Sequence, residues 1–246
     1  MISSAVENGI ITKNQGKRMM LFCVNAGPAF VINAVGVSML GSRKAGVILL
    51  ASTITASLLT GVASGFFKKE EKEAIITAIT TNKSSALSES VDSAVKTMLP
   101  VCGWILVFGA VRQITNDAGL SENFRRLTDL LFEVTNGCAS SSKFFPLPVT
   151  AFVLGFSGFA VHAQILPFIH ESGLEYKVFF ASRALNGALA AAAAELLFRL
   201  FPCTVQVFNS ESQIIPVAFS VSAYASTAAI FTAVLIILDL APTAKV

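Results

Sequence analysis

The sequence predicts an all-α membrane fold, a polytopic bundle of transmembrane helices in which two segments are discontinuous or re-entrant and an inverted repeat is possible. Three observations predict it. Apolar types make up 54% of the 246 residues and charged types only 13%, whereas soluble domains carry about 25% charge. The mean hydropathy is +0.69, so most of the surface must be apolar and needs lipid against it. Several apolar stretches are long enough to cross about 30 Å of hydrocarbon at about 1.5 Å per residue.

Residues 1–18 are polar and read as an amphipathic approach rather than a signal peptide, because the apolar run begins only after Arg18. A first half is expected over 19–67. Within it, 19–40 is apolar but interrupted by Asn25, Gly27, Pro28, Asn33 and Gly36, while 45–67 runs without a charge. A polar connector at 68–97 follows and is expected outside the membrane, with an amphipathic end, VDSAVKTML. The second half is expected over 98–201. It opens with 98–111, which carries the only tryptophan, Trp104, and whose polar continuation past Arg112 extends or tilts by snorkelling. Residues 121–132 are amphipathic and lead into Glu133-Val134-Thr135-Asn136-Gly137, a candidate short re-entrant arm. The 147–169 stretch is apolar but holds Gly155, Ser157, Gly158, His162, Gln164 and Pro167, and 176–201 is apolar apart from Lys177, Arg183, Asn186, Glu195 and Arg199. A last crossing is expected at 214–240, with small residues suited to close packing.

Proline removes a backbone donor and glycine loosens the chain. In lipid the freed groups need protein or a water-lined hollow. The 19–40 and 147–169 stretches are therefore candidates for broken helices. At an offset of about 130, ASTITASLL lies over ASRALNGAL and AFVINAV over FAVHAQI, a faint repeat. If the arm near Glu133 turns back without crossing, 45–67 and 176–201 run in opposite directions, as an inverted repeat requires. The lysines and arginines then fall more on the N-terminal side, which places both termini in the cytoplasm.

Broken helices offer free N–H groups and a positive dipole end to an anion. Asn25, Gly27 and Pro28 form one such break; a packing kink is the plainer account. Gly158, His162 and Gln164 belong to the other. They suit a solute path or a proton relay, and equally an interhelical hydrogen bond. Glu133, with Thr135 and Asn136 beside it, could hold a coupling cation or a proton, as could His162; Glu133 could also sit in interfacial water. Arg183 could pair with Glu133, neutralise an anionic solute or snorkel. Glu195 and Arg199, at i,i+4, read as a structural pair.

Other functions find no footing. The four cysteines, Cys23, Cys102, Cys138 and Cys203, lie far apart without metal spacing, and read as small apolar packers. No basic cluster suits nucleic acid. Nucleophile elbow, HExxH, Walker and Rossmann patterns are missing, so neither enzyme nor cofactor is expected. The expected partners are the bilayer and a small anionic solute, with a homo-oligomer left open.

Three motifs in order carry a resemblance over nearly the whole chain: FCVNAGPAFVINAVGVSMLGS, EVTNGC and GFSGFAVHAQ. Together they resemble the YlbJ-type sporulation integral membrane proteins, within the nucleoside-recognition Gate domain group. The resemblance implies a role in spore formation in an endospore former, and passage of dipicolinate, a small aromatic dianion, through the outer forespore membrane. It places Asn25, Gly27, Pro28, Glu133, Thr135, Asn136, Gly158, His162 and Gln164 on motif positions. It also implies a departure: the family is usually longer at the N-terminus, with several more helices and a Gly-Tyr-Pro-like break. Alternating access around a midplane site is the mechanism expected of such a fold. A nucleoside or other neutral cargo, or a non-transporting scaffold in spore assembly, are the alternatives.

Overall fold

A computed structural model describes residues 2–7, 9–66 and 86–203. The crossing expected at 214–240 and the first part of the connector lie outside these residues. All regular structure among the described residues is helical. The helices are α1 (Ile2–Glu7), α2 (Lys13–Phe22), a π-pitched helix (Phe30–Met39), α3 (Arg43–Phe66), α4 (Ala86–Asp117), α5 (Glu122–Phe132), α6 (Val134–Phe144), α7 (Leu147–Phe156), α8 (Gly158–Ser172) and α9 (Tyr176–Leu200).

Both interrupted stretches are broken. Helix α2 starts on a capping box, in which the Thr12 hydroxyl accepts from the Gln15 N–H and the Gln15 side chain accepts from the Thr12 N–H. It ends at Phe22, and residues 23–27 are not helical. Helical backbone resumes at Pro28, which suits a first turn because it has no N–H to leave unpaired. It then widens to π pitch, with the Leu40 N–H reaching back five residues to the Val35 carbonyl. The second break is shorter. Ser157 alone separates α7 from α8, in the left-handed conformation at φ 72°.

Residue pairings give the direction of each segment. Along α3, Arg18 meets Gly65, Phe22 meets Gly61, Asn25 meets Ser57 and Gly36 meets Gly46. The broken segment α2–π therefore runs antiparallel to α3 over its length. Along α9, Phe152 meets Gly187, Gly155 meets Asn186, Ser157 meets Arg183 and His162 meets Tyr176. The broken segment α7–α8 runs antiparallel to α9 in the same way. Helices α3 and α9 are themselves antiparallel, since Lys44 reaches the Pro202 carbonyl while Ser57 and Thr60 reach Asn186. The chain thus builds one unit twice, a broken helical segment followed by an unbroken antiparallel helix, and the second copy points the opposite way.

The units lock through glycines. A Cβ on Gly155 would stand 2.7 Å from the Gly187 Cα, and one on Gly36 would stand 2.5 Å from the Gly46 Cα. Neither pair leaves room for a side chain, which is how small residues let membrane helices approach. Around these contacts Val31, Val35, Leu49, Ala56, Val153, Leu154, Ala190 and Ala194 form the buried core.

Helices α5 and α6 make a hairpin with its tip at Glu133. Gly137 comes against the carbonyls of Asp129 and Leu130, and Arg126 lies over the Phe144 ring. The hairpin leans on α7, with Ser141 bonded to Thr150, and on α4, through the Arg112–Asp129 ion pair at 2.6 Å. Helix α4 differs from expectation in length. It begins at Ala86, so the amphipathic VDSAVKTML is part of it, and it passes Pro100 without ending. Its Met98, Leu99, Leu106 and Ile114 are exposed, a face that needs hydrocarbon. Among the described residues, three segments are long and apolar enough to cross a membrane: Arg43–Gly65, Ala94–Asp117 and Leu147–His170.

Candidate functional site

The two breaks lie at one depth. Ser57 stands about 14 Å from the Phe66 end of α3, and Asn186 about 15 Å from the Tyr176 end of α9, at about 1.5 Å per residue. Because the helices are antiparallel, those ends share a side, so the two distances agree.

A line of polar groups joins the breaks across the core. The Asn25 amide donates to the Phe22 carbonyl at 2.9 Å, satisfying a C-terminal acceptor of α2. The Ser57 hydroxyl donates to Asn25 Oδ1 at 2.8 Å and stands 3.5 Å from Asn186 Oδ1. Thr60 Oγ1 stands 3.4 Å from the same Asn186 oxygen. Asn186 Nδ2 donates to the Gly155 carbonyl at 3.2 Å. Arg183 Nη2 donates to that carbonyl too, and to Ser157 Oγ at 2.9 Å. A cation at the carbonyl end of α7 agrees with the helix dipole.

Arg183 is the unusual member. It is 0% exposed, and its Nε and Nη1 have no hydrogen-bond partner among the described residues. The ion pairs among the described residues are Lys96–Asp92, Arg112–Asp129, Arg126–Glu122 and Arg199–Glu195. The Glu195–Arg199 pair is as expected; among the described residues Arg183 has no carboxylate within 4 Å, and it does not pair with Glu133. A buried cation without a counter-charge is costly in a low-dielectric interior.

Glu133 is taken up locally. It is 7% exposed and caps α6, its two carboxylate oxygens accepting from the N–H groups of Thr135 (2.9 Å) and Asn136 (2.8 Å). The Thr135 side chain is exposed and that of Asn136 half-buried. Gly158 seats this tip against the second break. At φ 72° it needs the glycine conformation, and a Cβ there would stand 3.1 Å from the Val134 nitrogen. His162 is 2% exposed. Its Nε2 lies 3.1 Å from the Phe156 carbonyl, so that nitrogen carries the proton, and its Nδ1 lies 3.3 Å from the Tyr176 hydroxyl. Phe156, Phe159, Phe179 and Phe180 ring it. Gln164, two residues on along α8, is half-buried. Asn25, Gly27 and Pro28 are exposed, and a Cβ on Gly27 would meet nothing within 4 Å.

The structure therefore brings Asn25, Arg183 and the Gly155–Gly158 break into one network, with Glu133 and Gly158 meeting beside it and His162 in an adjoining aromatic cluster. Sequence reasoning missed Ser57, Thr60, Asn186 and Ser157 as its members. The available signal was spacing: Ser57 with Thr60, and Arg183 with Asn186, stand at i,i+3 and share a helix face.

Broken and unbroken helices in two opposed copies, with three segments long and apolar enough to span a bilayer among the described residues, mark a helical integral membrane protein with discontinuous helices. Among known proteins the chain is similar to the sporulation integral membrane protein YlbJ of Bacillus subtilis (strain 168), at 24% identity over 233 residues, covering 77% of this chain and 57% of the relative. That likeness supports a YlbJ-type assignment and agrees with an integral membrane protein. The chain spans a little over half the length of this relative. No family model and no solved structure matches it.

Proposed function

We propose that the chain moves a small organic anion, an aromatic dicarboxylate such as dipicolinate, across the outer forespore membrane during spore formation. The observation that carries this reading is Arg183, buried at a helix break with no carboxylate partner among the described residues and with Nε and Nη1 unpaired there. A carboxylate arriving there gains a bidentate cation and the uncapped N-terminus of α8. The rings around His162 lie on the next turn, where they offer an apolar wall to an aromatic solute. Because the segments on either side of each break are separate helices, one bundle can move against the other around this level, which is alternating access. Glu133 at the hairpin tip, or His162, would be where a coupling cation or proton acts.

The test is uptake of labelled pyridine-2,6-dicarboxylate by proteoliposomes of the purified chain, with and without Arg183→Gln. Saturable uptake that the variant loses by tenfold or more, about 1.4 kcal/mol, supports the reading. Uptake that nucleosides compete away and Arg183→Gln leaves intact favours the neutral-solute alternative. Absent uptake, with normal spores from an Arg183→Gln strain, favours the scaffold.

A further inference from the structure

The two helix breaks share one hydroxyl proton. Ser57 has a single O–H, and two carbonyl oxygens face it: Asn25 Oδ1 of the first break at 2.8 Å and Asn186 Oδ1, which is tied to the second, at 3.5 Å. Hydroxyl hydrogen bonds centre near 2.7–2.8 Å, so the proton lies with Asn25. Thr60 does not relieve the other oxygen, because its hydroxyl donates to the Ala56 carbonyl at 2.9 Å and stands 3.4 Å from Asn186 Oδ1. Asn186 is thus a fully buried amide whose oxygen has two donors at hand, each engaged elsewhere at a shorter distance. Its nitrogen holds the Gly155 carbonyl, the group that Arg183 also holds.

We infer that Ser57 is a positioning residue that couples the two broken segments, its one hydroxyl hydrogen shared unequally between Asn25 and Asn186 so that a shift at either break changes its hold on the other. With the proton on Asn25, the end of α2 is tied to α3. Loss of the Asn25 contact frees the proton for Asn186, whose under-filled oxygen draws it in, and the second break is held through Gly155. A disturbance at Gly155 or Arg183 travels the other way, because a displaced Asn186 leaves the Ser57 proton wholly to Asn25. Each break biases the other through a two-position donor, which is the physical content of coupling between sites. Nothing in this mechanism depends on the identity of the solute.

Cys23 is an exposed residue within the first break and reports on it directly. The experiment uses the full chain in liposomes with Cys102, Cys138 and Cys203 replaced by alanine, and measures the rate of Cys23 alkylation by a maleimide with no solute present. Arg183→Lys, a change at the second break, is expected to alter that rate by at least about twofold, the lower end for residues in one hydrogen-bond network. Ser57→Ala is expected to abolish the effect of Arg183→Lys, and Ser57→Thr, which keeps the hydroxyl, to restore it. If Ser57→Ala does not reach the membrane intact, Asn186→Ala removes the other partner and is expected to do the same. The inference is overturned if Arg183→Lys leaves Cys23 unchanged, or if its effect survives loss of the Ser57 hydroxyl or of the Asn186 amide. Failure of dicarboxylate uptake leaves this measurement untouched, so the two readings fall separately.

Discussion

Replacing Arg183 by methionine separates function from stability. The side chain fills a site that is 0% exposed, and methionine keeps most of its length without the charge. Two hydrogen bonds from a charged group are lost, to the Gly155 carbonyl and to Ser157 Oγ, about 1.5–3 kcal/mol each. Neither partner is orphaned: Gly155 keeps the Asn186 amide and Ser157 keeps its own bond to the Leu154 carbonyl. On the other side, the unpaired Nε and Nη1 disappear, about 1–3 kcal/mol apiece, together with a charge whose burial costs several kcal/mol. The terms cancel or favour the variant. At about 2–4 °C per kcal/mol for a chain of this size, Arg183→Met should melt in detergent within about 3 °C of the parent, or above it. In the same preparation it should take up no dicarboxylate. Arg183→Ala, which adds a cavity, should lose about 2–5 kcal/mol. A fall of more than about 10 °C for Arg183→Met would refute the reasoning, because it would mean that the arginine is a net structural support.

Other outcomes follow from the packing. Gly155→Ala should cost about 1–3 kcal/mol by overpacking in thermal melts, since its Cβ would meet the Gly187 backbone, whereas Gly103→Ala, with nothing within 4 Å, should be neutral or add about 0.5–1 kcal/mol of helix stability. Glu133→Ala should destabilise by about 1–2 kcal/mol through the lost cap, with Glu133→Asp, also an acceptor, retaining part of it, as read by the same melts. Single cysteines at Lys44 and Arg199 should react with an impermeant maleimide from one side of sealed vesicles, and those at Lys13 and Leu174 from the other. Equal labelling of all four from one side would exclude the opposed arrangement of the two units.

The membrane fold was legible because composition and run length report directly on solvent. The breaks were legible because proline, glycine and amides within apolar runs have few other uses. The opposed direction of α3 and α9 could be expected from counting crossings, on the supposition that the chain turns back near Glu133; the α5–α6 hairpin has that form. Less could be read of the site. Serines and threonines are common on membrane helices, where most bond their own helix, as Ser52 and Thr53 do here with Leu49 and Leu50. Only the pairing of α3 with α9 distinguishes Ser57 from them, and that pairing joins residues 129 apart. The run 98–111 reads short because polar residues flank it on both sides; α4 extends past both, from Ala86 to Asp117, since a long helix tolerates charged ends and the one hydrogen bond lost at Pro100.

Arg183 also sets a condition on any transport cycle. With no surface exposed, it is unreachable by a solute in this arrangement, so binding requires the α7–α8 break to open. The local backbone is suited to that. Ser157 and Gly158 both hold positive φ, and the N-terminus of α8 carries no side-chain cap. The glycine contact of Gly155 with Gly187 fixes α7 on α9, whereas α8 touches α9 chiefly through His162 and its rings. Opening should therefore swing α8 about Ser157 and leave α7 in place. When α8 moves and carries the Ser157 hydroxyl away, one Nη2 hydrogen is freed while the other stays on the Gly155 carbonyl of α7, and that hydrogen with the idle Nε and Nη1 gives a carboxylate its donors at the moment the path to them appears.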